Sequence, residues 1–145
     1  MKYGLALGSG GAKGIVHIGA LQALEEEKIK FDIVAGTSIG SIVGGMYALG
    51  YSAREMINVV EEMQLNKPKF LLDLKFKNLS LAGRLKEVLG ERTFSDLKMP
   101  FCAVATDIDT GEEVHLKVEI CVLQCLRQAL YLQRLSQLLS TIKDL

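Results

Sequence analysis

The chain has 145 residues, 49% hydrophobic and 23% charged, with 17 basic residues set against 17 acidic ones. That length holds one domain with a modest core, and the apolar share excludes intrinsic disorder. A net charge of zero supplies no field to gather nucleic acid or anionic lipid, so no nucleic-acid partner is expected. Three cysteines, Cys102, Cys121 and Cys125, form no Cys-x-x-Cys pair, and their odd number favours reduced thiols in a cytoplasmic setting. Cys121 and Cys125 are four apart with no histidine near them, which suits packing rather than a metal, and no cofactor is assigned. The amino terminus, with one lysine and an apolar run broken by glycine, makes a poor signal peptide.

In chain order, Met1 to Leu7 reads as a short buried strand, and Gly8-Ser9-Gly10-Gly11-Ala12-Lys13-Gly14 follows it. A glycine cluster between a strand and a helix presents bare N–H groups, which suit a phosphate or a transient oxyanion. The Walker pattern fails because Lys13 lies between Ala12 and Gly14. The dinucleotide fingerprint fails because Ser9, or in the other register Lys13, stands where it needs glycine. Periodicity predicts a helix from Gly14 to about Lys28, with Val16, Ala20, Leu21 and Leu24 facing inward. His17 lies on its first turns, as a partly buried helix residue or as one with a role beside the loop.

Phe31 to Ala35 is the second expected strand, and Gly36-Thr37-Ser38-Ile39-Gly40 comes directly after it. Gly-x-Ser-x-Gly between a strand and a helix is the pattern of a nucleophile elbow, in which a sharp turn lifts the serine out of the chain. Gly36 and Gly40 let the backbone bend and neighbouring elements close in. The helix behind Ser38 points its positive dipole end at the hydroxyl. It is apolar all round and is expected to be central and covered. Residues 33–53 carry no charge, and Gly36, Gly40 and Gly44 recur every four, which also suits a membrane-spanning helix. Five glycines and several hydroxyls in that stretch favour strand, turn and buried helix instead.

Ser52 and Glu55 form a capping box for a helix reaching about Met63. Pro68 and the stretch 67–77 read as a loop or lid, and Ser80 caps a short helix to Leu89 that Gly90 ends. Phe101 to Thr106 is β-rich, 107–111 a turn, and 112–117 a partner strand with His115 pointing to solvent. Beyond it, Leu132, Leu135, Leu139 and Ile142 recur at helical spacing. Strands alternating with helices imply an α/β fold, a mainly parallel sheet with helices on both faces.

Taken together, the stretch from Gly4 to Leu21 and the segment from Phe31 to Ala48 resemble the patatin-like phospholipase family. They look like its opening strand, oxyanion loop, first helix and nucleophile elbow, and a weaker likeness runs through 100–107. The resemblance covers about residues 1–117, leaving 118–145 as a divergent amphipathic tail. It implies a patatin-like α/β/α sandwich, incomplete at its C-terminus, that hydrolyses lipid or fatty-acyl esters. Ser38 would be the nucleophile, and Gly10, Gly11 and Ala12 the oxyanion donors. Gly8, Ser9, Lys13 and Gly14 would support that loop. It also implies a cytoplasmic protein that meets a membrane surface transiently. Ser9 departs from the family's usual glycine. The family's base is an aspartate in an Asp-Gly dipeptide downstream of the serine, and this chain has no Asp-Gly. Truncation before that motif is the simplest expectation, with activity impaired. An inactive fragment that associates through 118–145 is one alternative. A Ser–Asp–His hydrolase using Ser38, one of Asp96, Asp107 or Asp109, and His115 is the other.

Overall fold

The computed structural model describes residues 1–62, 92–107 and 109–116. The expected loop at 67–77, the helix from Ser80 to Leu89 and the tail 118–145 lie outside the described residues. Four strands form one sheet in the order β1-β2-β3-β4: Gly4–Leu7, Ile33–Thr37, Phe101–Thr106 and Glu113–Leu116. β1, β2 and β3 run parallel, and β4 returns antiparallel beside β3. The fold is therefore α/β with a mostly parallel sheet, as expected.

Register decides which side chains share a face. Leu7 pairs with Gly36 and Val34 with Phe101, while Ala103 faces Leu116 across the β3–β4 ladder. These residues line one side of the sheet, where Leu7, Val34, Phe101, Ala103, Ala105 and Leu116 are buried. α2, Ile39–Ala48, lies across that side, with Ile42, Val43 and Met46 fully buried. Strands advancing in one direction through right-handed crossovers place their connecting helices on a single face. α1 (Val16–Glu26) and α3 (Ala53–Glu62) accordingly join the same core, through Ile18 and Leu21 and through Met56, Val59 and Val60, so the described helices stand on one face of the sheet where helices on both were expected.

The four-residue glycine spacing at 36–44 has a packing reason. A methyl group on Gly44 would stand 3.0 Å from a Val34 side-chain carbon and 3.2 Å from the Phe101 ring, so its absence lets α2 press onto the sheet. The uncharged stretch is thus strand, elbow and buried helix. No helix among the described residues is long and apolar enough to cross a membrane.

Two expectations shift. β2 runs over Ile33–Thr37, two residues later than the apolar run at 31–35 suggests. Its entry is set by Tyr3, whose N–H donates to the Asp32 carboxylate at 2.7 Å and whose carbonyl accepts Asp32 N–H at 2.8 Å. Phe31 instead packs edge-on against the Tyr47 ring, with centroids 6.2 Å apart. In α1 the buried side chains are Ile18 and Leu21, while Val16 is 69% exposed and Ala20 is also exposed. A 3-10 turn over Gly11–Ile15 precedes the helix. Leu21 is buried as expected and Leu24 is half-buried, while Ile18 takes the inward place expected of Val16 and Ala20.

The capping box at α3 forms as expected. Ser52 N–H donates to the Glu55 carboxylate at 2.8 Å and Glu55 N–H donates to Ser52 Oγ at 3.3 Å. The β3–β4 turn also matches: Asp107 N–H donates to Glu112 O, Gly111 N–H to Asp107 O, and Gly111 takes a positive φ of 76°.

Candidate active site around Ser38

Ser38 stands between the last residue of β2 and the first of α2, with φ 51° and ψ −125°. A side-chain-bearing residue at positive φ costs about 1–3 kcal/mol and persists only where its surroundings hold it. Here the hold is specific. Ser38 O accepts Ser41 N–H at 2.9 Å and the hydroxyl of the fully buried Ser41 at 2.6 Å. Before the serine, Thr37 Oγ1 donates to Val104 O, tying the end of β2 sideways to β3. The result is a rigid turn that leaves Ser38 half-buried at the carboxyl end of the sheet.

Both elbow glycines sit where a side chain would collide with backbone. A methyl group on Gly36 would overlap the Gly40 carbonyl, and one on Gly40 would overlap Leu7 O and lie 2.5 Å from Gly8 O. The first contact lets the turn close on itself. The second presses the first turn of α2 against the end of β1, where the glycine loop begins. Gly14 completes the junction: a methyl group there would overlap the side chain of Ile39, the residue after Ser38. Loop and elbow are thus packed together through two glycines, Gly40 and Gly14, while Gly36 closes the elbow itself.

Within the loop, Gly8, Ser9, Gly10 and Lys13 are exposed, Gly11 and Ala12 half-buried, and Gly14 buried. Gly11 has a positive φ of 54°, and Lys13 N–H closes onto Gly10 O at 3.1 Å. The leading N–H groups of a helical segment have no partner within it, so this start leaves donors at the mouth of the loop. His17, on the first turn of α1, places Nε2 3.0 Å from Gly8 O. It is a half-buried helix residue, as the first of its two sequence readings has it, and it also lies against the loop. Thr37 was not singled out from sequence, since a threonine inside an elbow carries no signal of a bond 67 positions away.

The aspartates serve local structure. Asp107, 3% exposed at the end of β3, accepts Asp109 N–H at 2.9 Å on Oδ1 and organises the turn. Asp96 accepts Thr93 N–H at 2.7 Å and the Thr93 hydroxyl at 3.1 Å. Those bonds hold its carboxyl below the usual range. His115 is exposed and pairs with the Glu113 carboxylate on its own strand. Grooves of about 560 and 500 Å³ open elsewhere, beside Glu25, Ser52 and Arg54 and beside Lys28, Phe31 and Tyr51. None of the loop or elbow residues lines them.

A mostly parallel sheet that leads through Ser38, at positive φ, into a buried helix packed on a glycine loop makes this an α/β fold. The chain belongs to the patatin-like phospholipase family, whose model matches residues 5–130 and so runs into the segment after 117. A patatin-like phospholipase domain-containing protein of Caenorhabditis elegans is 37% identical over 122 residues, covering 75% of this chain and 9% of that protein. An uncharacterised NTE family protein of Mycobacterium tuberculosis is 35% identical, covering 78% of this chain and 33% of its own length. The lysophospholipase NTE1 of Saccharomyces cerevisiae is 60% identical over 48 residues, 33% of this chain and 3% of that protein. The chain thus spans at most about a third of these relatives. Among solved structures, the type III effector ExoU aligns over 88% of this chain and 40% of its own, with TM-score 0.61 and 17% identity. That likeness concerns the fold.

Proposed function

We propose that the chain carries the nucleophile half of a serine-dependent lipid acyl hydrolase of phospholipase or esterase type. Ser38 Oγ attacks the carbonyl carbon of a lipid or fatty-acyl ester, its proton passing to a base. The tetrahedral oxyanion accepts hydrogen bonds from the N–H groups of Gly10, Gly11 and Ala12, each such donor being worth about 3 kcal/mol. Collapse expels the alcohol and leaves an acyl group on Ser38, which water then removes. The observation that carries this reading is the positive φ of Ser38 at a strand–helix junction packed on the glycine loop. Gly8, Ser9, Lys13 and Gly14 give that loop its shape, and Gly36 and Gly40 close the elbow.

These 145 residues contain no Asp-Gly dipeptide to supply the family's base, and the buried Asp107 carboxylate is engaged in its turn. An unassisted serine is a weak nucleophile, and loss of its base costs about four to six decades in rate. Turnover of a short-chain ester is therefore expected to be very low, with slow acylation remaining. A fluorophosphonate probe tests the assignment: the wild type is labelled and Ser38→Ala is not. Equal labelling of both proteins would remove Ser38 from the role. Robust ester hydrolysis abolished by Asp107→Asn or Asp109→Asn would reveal a substitute base and overturn the expectation of low turnover.

A further inference from the structure

The loop that would receive the oxyanion has four glycines in seven residues, Gly8, Gly10, Gly11 and Gly14, and few side chains of its own to hold it. Glycine peptides rotate readily, so a donor loop built from them needs an external clamp to keep its N–H groups aimed. Among the described residues, one side-chain hydrogen bond reaches the loop: His17 Nε2–H donating to Gly8 O at 3.0 Å. We infer that His17 is a positioning residue for the oxyanion loop, locking the Gly8–Ser9 peptide plane so that the donors behind it face Ser38.

The geometry gives the clamp two jaws. On one side, the first turn of α1 brings the imidazole to the carbonyl. On the other, the Gly40 α-carbon approaches the same oxygen so closely that a methyl group there would lie 2.5 Å from it. Gly40 is two residues past Ser38, so the carbonyl is held between the loop's own helix and the elbow helix. No peptide among the described residues is cis. In a trans unit the C=O and the following N–H point in opposite directions. Fixing Gly8 O toward His17 therefore also fixes Ser9 N–H and the path of the chain into Gly10 and Gly11. A carbonyl oxygen can only accept, so Nε2 carries the proton in this bond. His17 is half-buried beside the loop and needs no contact with the reacting atoms.

This inference rests on the proposed role of Ser38, and the experiment separates the two. The rate of Ser38 modification by a fluorophosphonate is measured at saturating and subsaturating probe for the wild type, His17→Phe and His17→Gln. Each melting midpoint is determined in parallel. His17→Phe, which keeps the ring volume and loses the donor, is expected to slow the saturated rate about tenfold with the half-saturating concentration unchanged, as fits misplaced groups at the reacting centre. His17→Gln, which restores an N–H donor, is expected to recover most of that rate. Wild-type rates in His17→Phe, or equal losses in both variants that follow their melting midpoints, would make His17 merely structural and overturn the inference. If His17→Phe does not fold, His17→Ala with and without added imidazole makes the same comparison; acceleration by imidazole supports the clamp and its absence overturns it. A wild type that is not labelled, or labelling that survives Ser38→Ala, removes the Ser38 reading and this inference together.

Discussion

At the scale of single residues, the site is built from what is missing as much as from what is present. Ser38 stays in a costly backbone region because Ser41 and the first turn of α2 hold its carbonyl, and because Gly36 and Gly40 allow backbone to meet backbone. Gly40→Ala would drive a methyl group into Leu7 O, an atom with no room to move, and is expected to destabilise the fold by about 3 kcal/mol or more. Gly19 provides the control. It lies mid-helix in α1, exposed, with nothing within 4 Å of where a methyl group would stand. Gly19→Ala is expected to stabilise by about 1 kcal/mol through helix propensity alone. Urea denaturation of the two variants should move the midpoint in opposite directions; a Gly40→Ala midpoint equal to wild type would mean that the loop and elbow are not packed as described.

At the scale of elements, local chemistry decides where a helix starts, and tertiary contact decides which way it faces. The Ser52–Glu55 box was legible because its two partners are three residues apart and need nothing else. Ser52→Ala is expected to cost about 1 kcal/mol. Hydrogen bonds from Ser52 N–H and Oγ, with the Lys98 charge adding to them, lower the Glu55 carboxyl below its usual value. A lowered folded-state value means that the box contributes fully above the ordinary glutamate range, and that the contribution is lost as pH falls through the folded value. Glu55→Gln should therefore lower the melting midpoint at neutral pH and lower it less at acid pH, below the ordinary carboxylate range. An equal deficit at both pH values would assign the effect to something other than the charge. In α1, Leu21 faces inward as expected, but Val16 and Ala20 were misplaced for the converse reason. The phase of that helix depends on a 3-10 turn and on Gly14 meeting Ile39, neither of which the apolar spacing records.

At the scale of the whole molecule, stability should follow the layering. α2 is buried at nine of its ten positions, and β2 is flanked by β1 and β3, so the elbow rests on the most enclosed part of the fold. β1 and β4 end the sheet among the described residues, and Ile33, at the start of β2, is 50% exposed. Amide hydrogen exchange should be slowest at Val34, Ile42, Val43 and Met46, and faster by at least tenfold in β4. Uniform protection across the sheet would contradict that order.

The sequence alone determined the features whose partners lie close along the chain. The alternation of strands and helices, the Gly-x-Ser-x-Gly turn, the glycine loop and the α3 cap were all readable, because turn geometry and short-range hydrogen bonds depend on residues within a few positions. The tertiary structure decided what depends on residues brought together from afar. Gly40 against the end of β1, Gly14 against Ile39, Thr37 bonded to Val104 and His17 reaching Gly8 turn two separate motifs into one candidate site. The start of β2 and the inward place of Ile18 in α1 belong with them. Their cause is close packing across 9 to 67 positions of sequence, which hydrophobic periodicity does not encode.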